Sequence, residues 1–500
     1  MSSVSIQRNW GLTGDLFVVV GAGGGTQPPQ AEGFTPRVVS VDTREIYVST
    51  SGLDTNDGLT ELTPKKTIAA AEGLMRAGFP DHVLLKRGDW FRGEIFTENK
   101  AGRSVEEPAV LSDYGTGTVR PKLEYFVWNA NRPPRSYTNI MGLEFYRVEM
   151  DPDSIYYNPL VEDAQTAVND FQEYTLFEDC KFTFVQLELK TLNMTIRRCI
   201  LHGAYGINTS YDKNRKPSNC HLGAYNSGYL VMEENIFDHG GWNSTVVGAA
   251  ANQFDHNIYL SHTTLCSQMI FRRNISSRAS SHGIQMRFGG IADNNYYARC
   301  AVSLLFGSNQ NDGGNFPLNI TSINNVIQDP QNMTKGTPYN SDDANNVCWG
   351  MDIEVYGLIP PTIRVEQNIL GLLDLSLNPT APDGAGLNIH SFNIVALENS
   401  PNFDPSSVDL STNVVYHWDD QTQGDGLGLT DPDRSYKTYL NNVLLPLGYT
   451  PTGLQGTDDM AKIAELWCGR GRLEWPEELT ANALNNYVRV GYDVAGDAIA

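Results

Sequence analysis

A short motif recurs along most of the chain: an apolar stretch, one small polar residue, then a further apolar pair. It reads Phe177-Glu-Asp-Cys180-Lys-Phe, Ile196-Arg-Arg-Cys199-Ile-Leu, Met232-Glu-Glu-Asn235-Ile-Phe, Phe271-Arg-Arg-Asn274-Ile-Ser and Ala292-Asp-Asn-Asn295-Tyr-Tyr. Later copies are Ile323-Asn-Asn325-Val-Ile, Val365-Glu-Gln-Asn368-Ile-Leu, Phe392-Asn393-Ile-Val and Thr412-Asn413-Val-Val. The Cys/Asn positions are 19, 36, 39, 21, 30, 43, 25 and 20 residues apart. The short intervals suit one coil of roughly 20–25 residues, and the long ones a coil plus a loop, or two coils. An Asn at a tight turn between strands can stack its amide coil over coil and tolerates left-handed backbone. One such coil buries little alone, so the repeat demands a stacked solenoid.

Composition agrees. The chain has 500 residues, 46 Gly, 40% hydrophobic and 19% charged residues, as expected of many short strands joined by turns. Its 58 acidic residues against 36 basic ones give a net charge of -22, which repels phosphate backbones and excludes nucleic acid as a natural partner. No apolar run approaches the roughly 20 residues of a membrane span. The first residues, Met1-Ser-Ser-Val-Ser-Ile-Gln-Arg8, lack a basic start followed by an apolar core, so the expectation is synthesis without a Sec signal. Seven Cys without a CxxC argue against a disulfide framework or a zinc cluster and suit a reducing cytosol.

Four regions are expected. Residues 1–36 form an attachment segment in which the apolar run Leu16–Val20 precedes a Gly/Pro-rich linker. Residues 37–75 cap the solenoid, 76–445 form its body, and 446–500 form a helical C-terminal cap over the last coil's open edge. Within the first cap, Thr63 and Pro64 read as helix N-cap and first helical residue ahead of an Ala-rich run.

The block Tyr47-Val-Ser-Thr-Ser-Gly-Leu-Asp-Thr-Asn-Asp-Gly58, followed by Thr63-Pro…Thr67-Ile, resembles the N-terminal cap of the pectate-lyase-like superfamily. Arg87-Gly-Asp-Trp-Phe91 and Asp113-Tyr-Gly-Thr-Gly117 resemble its early coils. Arg278-Ala-Ser-Ser-His282-Gly-Ile-Gln-Met-Arg287, followed by Gly289-Gly290, resembles β-helix proteins of bacteria and phages. Over residues 40–420 the resemblance implies an all-β, right-handed parallel β-helix. It also implies a tailspike-like depolymerase, a free polysaccharide lyase or hydrolase, or a non-catalytic structural or adhesive virion β-helix, since many such proteins have no assigned activity and no one lyase family's catalytic set carries over. The expected setting is a virion tail or otherwise extracellular. The expected partners are a polysaccharide, tail or baseplate proteins bound through residues 1–36, and two further copies in a homotrimer.

The window 235–299 differs in charge from the rest. It holds Arg272, Arg273, Arg278, Arg287 and Arg299 against Asp238, Asp255 and Asp293, a balance of +2, together with His239, His256, His262 and His282. Such an island suits an anionic sugar polymer. Counting four residues past each ladder Asn gives His239, Arg278, Arg299 and Asp329, a column on one face. For β-elimination, Arg278 and Arg287 suit neutralisation of a uronate. His282 or His239 suits the base, because imidazole titrates near neutrality. Tyr259 suits the acid. His256, Arg299, Asp238, Asp255 and Trp242 are the expected substrate contacts. A hydrolase needs two carboxylates flanking the scissile bond, and Asp238 with Asp255 are the nearest candidates. Arg272, Arg273, His202 and His262 read as plain surface. No cofactor is expected. The turn Asp54-Thr-Asn-Asp-Gly58 has oxygen ligands of the kind Ca²⁺ takes, although an Asx turn explains the same residues more simply.

Overall fold

A computed structural model describes residues 33–494 except 97–99, 125–135, 162–164, 169–173, 190–192, 208–220, 225–227, 250, 252–253, 261–267, 308–317, 332–346, 375–376, 378–387, 398–399, 419–430, 432 and 493. The attachment residues 1–32, and His262, lie outside the described residues.

Among the described residues the chain winds into three parallel sheets of 11, 11 and 8 strands. From Thr138 to Ala396 each turn of the chain adds one strand to each sheet, the arrangement of a right-handed parallel β-helix. One such turn runs through the first sheet at Gln268–Arg272, the second at Ile275–Ser277 and the third at His282–Met286. Alternation along the strands sends Met269, Phe271, Ile284 and Met286 into a single continuous core. Equivalent positions stack, as in the parallel rings of Phe145 and Phe182, 5.0 Å apart.

The repeat residues form the corner between the first and second sheets. The side-chain oxygens of Asn235, Asn274, Asn295, Asn325, Asn368 and Asn413 each accept the backbone N–H of the ladder residue one coil below, at 2.9–3.0 Å. Their amides donate onward along the same line. Asn393 does not belong to this ladder: it lies in the third-sheet strand Asn388–Ala396, so the intervals of 25 and 20 are one coil with an insertion. The residue before the ladder position is left-handed in several coils, at Arg198, Glu234, Arg273 and Asn294, with φ between 51° and 57°.

On the outer side of the same strands, charges alternate from coil to coil. Arg197 pairs with Glu178 and Glu233, Arg272 pairs with Glu233 at 2.5 Å, and Arg273 lies near Glu233 and Glu234. Arg272 and Arg273, expected as plain surface, are therefore rungs of an ion-pair ladder.

The N-terminal helix Ile68–Glu72 puts Ile68, Ala71 and Met75 on the first coil's core. Its N-cap is Thr67, not Thr63. The reason is local: Asp54 accepts the backbone N–H groups of Lys66 and Thr67, and Thr63 is taken up by Asp57 and Thr60. The turn Asp54–Gly58, read more simply as an Asx turn than as a Ca²⁺ site, is filled from within. The Lys65 ammonium bonds the carbonyls of Asp54 and Asn56, which puts a cation where the metal would sit.

The C-terminal segment departs most from expectation. Its helices Tyr436–Tyr439, Asp459–Cys468 and Ala481–Gly491 do not close the last coil but lie along the outer face of the second sheet. They cover the row Ile200, Ile236, Ile275, Tyr296, Val326, Ile369 and Val414, which is in register across seven strands. The segment then reaches the early coils. Arg472 pairs with Asp113 and Asp179, and Arg120 donates to the carbonyl of Arg470 at 2.6 Å. The last coil is closed instead by Phe403, Val408 and Leu410 around the short turn Pro405–Ser407.

Candidate active site

The expected column forms at the corner between the second and third sheets. His239, Arg278, Arg299 and Asp329 are all left-handed, and their backbone N–H groups bond the next coil at 3.0–3.4 Å. Its side chains meet the C-terminal helices instead of open solvent. Arg278 clamps Asp238 with Nε at 2.9 Å and Nη2 at 2.6 Å. Asp238 is fully buried and also accepts from Ser277 at 2.7 Å and His202 at 3.1 Å. Burial alone would raise its carboxyl, but Arg278 and His202 hold it well below the usual carboxylate range. Arg299 is engaged by Gln331 and Asp458, and Trp242 donates to the Arg278 carbonyl.

Several assignments change accordingly. Arg278 serves a buried ion pair, so it is not placed to neutralise a uronate. Asp238 is committed to the ion pair with Arg278, so it is not available as one carboxylate of the expected Asp238–Asp255 pair. His202, expected on the surface, is buried against Asp238. His239 is packed on Trp242, ring centroids 4.2 Å apart. Burial, aided by Arg278, holds His239 well below the usual imidazole range.

The other predicted residues gather on the third sheet. His256 and His282 meet at its edge with Nδ1 atoms 3.1 Å apart. Burial lowers His282 to about 3 and, with the His282 charge, drives His256 well down. Neither imidazole titrates near neutrality, which removes the ground on which His282 was taken as a base. Tyr259 follows on the outer face, its ring 5.5 Å from His256 and 5.9 Å from the Arg287 guanidinium.

The register extends this face to two acids outside the basic window. Tyr259, Gln285, Leu305, Asp352 and Asn393 form one row along the helix axis. Glu354 stands two residues beyond Asp352 on the same strand, Val347–Val355, so both side chains leave by one face. Gly307 pairs with Glu354 and leaves no side chain there. Its φ is +89°, and a Cβ would lie 1.9 Å from the Glu354 carbonyl oxygen. Asp352 is buried, and burial together with the Glu354 charge raises its carboxyl well above the usual range. A bond from Asn393 at 2.9 Å and the Arg287 charge act the other way. The sequence signal for this pair is the strict alternation Met351-Asp-Ile-Glu-Val355, a half-buried strand with two acids in phase.

No family model and no curated protein matches the chain. Among solved structures it is similar to a rhamnogalacturonan lyase at 13% identity, over 74% of this chain and 86% of that one, with a TM-score of 0.33. A GH136 lacto-N-biosidase from Eubacterium ramulus matches at 12% identity over 70% and 68%, TM-score 0.31. A pectate lyase matches at 13% identity over 75% and 83%, TM-score 0.29. The fold rests on the three sheets themselves.

Proposed function

We propose that this protein binds a polysaccharide along the outer face of the third sheet and cleaves it by hydrolysis, with Asp352 as acid and Glu354 as base. The observation that carries the reading is the pair itself. Two acids in phase on one strand stand about 7 Å apart at the backbone. Glycoside hydrolysis uses carboxylates roughly 5–9.5 Å apart. Burial and the Glu354 charge raise the Asp352 carboxyl well above the usual range, which suits it to the acid role. Asp352 gives its proton to the glycosidic oxygen as the bond to the anomeric carbon breaks. Glu354 takes a proton from the water whose oxygen joins that carbon. Arg287 suits an anionic group on a neighbouring sugar, and the Tyr259 ring offers a face for sugar C–H groups.

A second reading, β-elimination on a uronate, is favoured by the closeness of Arg287 to Tyr259. There the guanidinium neutralises the carboxylate, Glu354 takes the C5 proton, and the phenol gives its proton to the leaving oxygen as the bond to C4 breaks. Either chemistry suits a tailspike-like homotrimer held to a virion through residues 1–36. The Gly/Pro-rich join after residue 20 supports that setting.

The test incubates the full chain with acidic and neutral polysaccharides, following new reducing ends and the ultraviolet absorbance of unsaturated uronates. Reducing ends without absorbance are expected. Glu354→Gln should lower turnover by about 10²–10⁴-fold, and activity should fall as pH rises past the raised Asp352 carboxyl. New absorbance would transfer the assignment to Arg287 and Tyr259. No products across the panel would overturn the enzymatic reading.

A further inference from the structure

The sequence shows no metal motif, but the fold assembles one from distant positions. His202 and Asp238 stack on adjacent second-sheet strands, and the helix Asp459–Cys468 lowers Cys468 onto them. All three side chains are buried. We propose that this corner is a binding site for a divalent transition ion, zinc by ligand type, held by His202 Nδ1, Asp238 Oδ2 and Cys468 Sγ. The geometry fits. The three ligand atoms are separated by 3.1, 3.7 and 4.0 Å. Metal bonds of about 2.0–2.3 Å give tetrahedral edges of about 3.3–3.6 Å, so small adjustments close the site.

The carboxylate has room for it. An ionised Asp has about four lone-pair sites. Ser277 and Arg278 Nε take two on Oδ1, and Arg278 Nη2 takes one on Oδ2. The fourth now faces His202 and passes to the metal when the imidazole turns from donor to ligand. Arg278 then becomes the outer partner that orients a ligating carboxylate. Its charge is eased by Asp458, which N-caps the helix carrying Cys468 and acts on Arg278 electrostatically.

A second observation points the same way. Among the described residues, two neighbouring imidazoles carry buried nitrogens without a hydrogen-bond partner, His239 Nε2 and His221 Nδ1. The His239 ring lies 6.2 Å from that of His202. Such a site would pin the C-terminal helix to the β-helix. It is independent of the reaction on the third sheet.

The experiment purifies the full chain without chelator and measures its metal content, then replaces the metal with Co²⁺. About one zinc per chain is expected, as are visible Co²⁺ bands with near-ultraviolet thiolate charge transfer. Zn²⁺ should slow alkylation of Cys468, read by peptide mass spectrometry, by at least tenfold. Cys468→Ser should lose the charge-transfer band while keeping its β-sheet circular dichroism. Should that variant fail to fold, alkylation of the wild-type chain decides alone. No retained zinc, with Cys468 alkylation unchanged by added Zn²⁺, would overturn the proposal. So would Co²⁺ bands that survive in Cys468→Ser.

Discussion

Replacing Arg278 by Met separates a structural cation from a functional one. Arg278 is only 6% exposed and supplies both charge-assisted bonds to the fully buried Asp238. Removing one partner of a buried pair strands the other charge and costs about 3–5 kcal/mol. That is two to nearly four decades in the unfolding constant, readable at pH 7 by urea unfolding followed through tryptophan fluorescence. The pH dependence adds a second check. In the natural chain the Asp238 carboxyl is depressed, so it contributes stability above its unfolded value and loses it as pH falls through the folded one. Without Arg278, burial raises the same carboxyl, so the penalty grows with rising pH. The gap between the two proteins should therefore narrow toward pH 4.5. Arg287→Met should cost less than about 1 kcal/mol of stability yet remove activity, because Arg287 is only half-buried. A loss near 1 kcal/mol or less for Arg278→Met, or a gap that does not narrow in acid, would refute the reasoning.

Asn295→Ala removes the acceptor for Asn274 N–H and Nδ2 and the donor to Phe271 O and Asn325 Oδ1. With buried groups orphaned at about 1–3 kcal/mol each, urea unfolding should show a loss on the order of 3 kcal/mol or more. Gly307→Ala forces a Cβ against the Glu354 carbonyl at a positive φ, so polysaccharide cleavage should drop along with the unfolding midpoint. Asp329 is raised to about 6 by burial. Its stabilising effect is complete below the unfolded carboxyl value and is lost as pH rises to about 6. Asp329→Asn should flatten that slope and stabilise the protein at pH 8 relative to the natural chain.

Much of the fold was legible because the repeat carries it. The ladder Asn marks the corner between the first and second sheets in successive coils. The apolar pair that follows, such as Ile236-Phe237 or Val326-Ile327, sends one residue into the core and one outward. That outward apolar residue marks a sheet covered on both faces, but the expectation placed the C-terminal helices over the last coil's end. What covers it was not legible, since capping a coil's end and lying along its flank ask for the same amphipathic helices. The site was read only in part for a similar reason. Charge counting found Arg287, Tyr259 and His282 in one window but could not tell an exposed Arg from one buried on Asp238. It also passed over Asp352 and Glu354, which lie more than 50 residues beyond that window and reach the site only through the coil register.

The return of the C-terminal segment also sets the order in which this molecule can be completed. A solenoid ordinarily grows by neighbour-to-neighbour addition and can fray one repeat at a time. Here a hydrogen bond joins Arg120 to Arg470 across 350 positions. The apolar strip from Ile200 to Val414, about 29 Å long at one coil per step, has no cover until the final helices emerge. A chain halted before residue 436 presents that strip to its neighbours, and such surfaces aggregate. The finished chain gains the opposite property. Its first coils cannot loosen without releasing its last helices, so a repetitive structure acquires the all-or-none unfolding of a globular one.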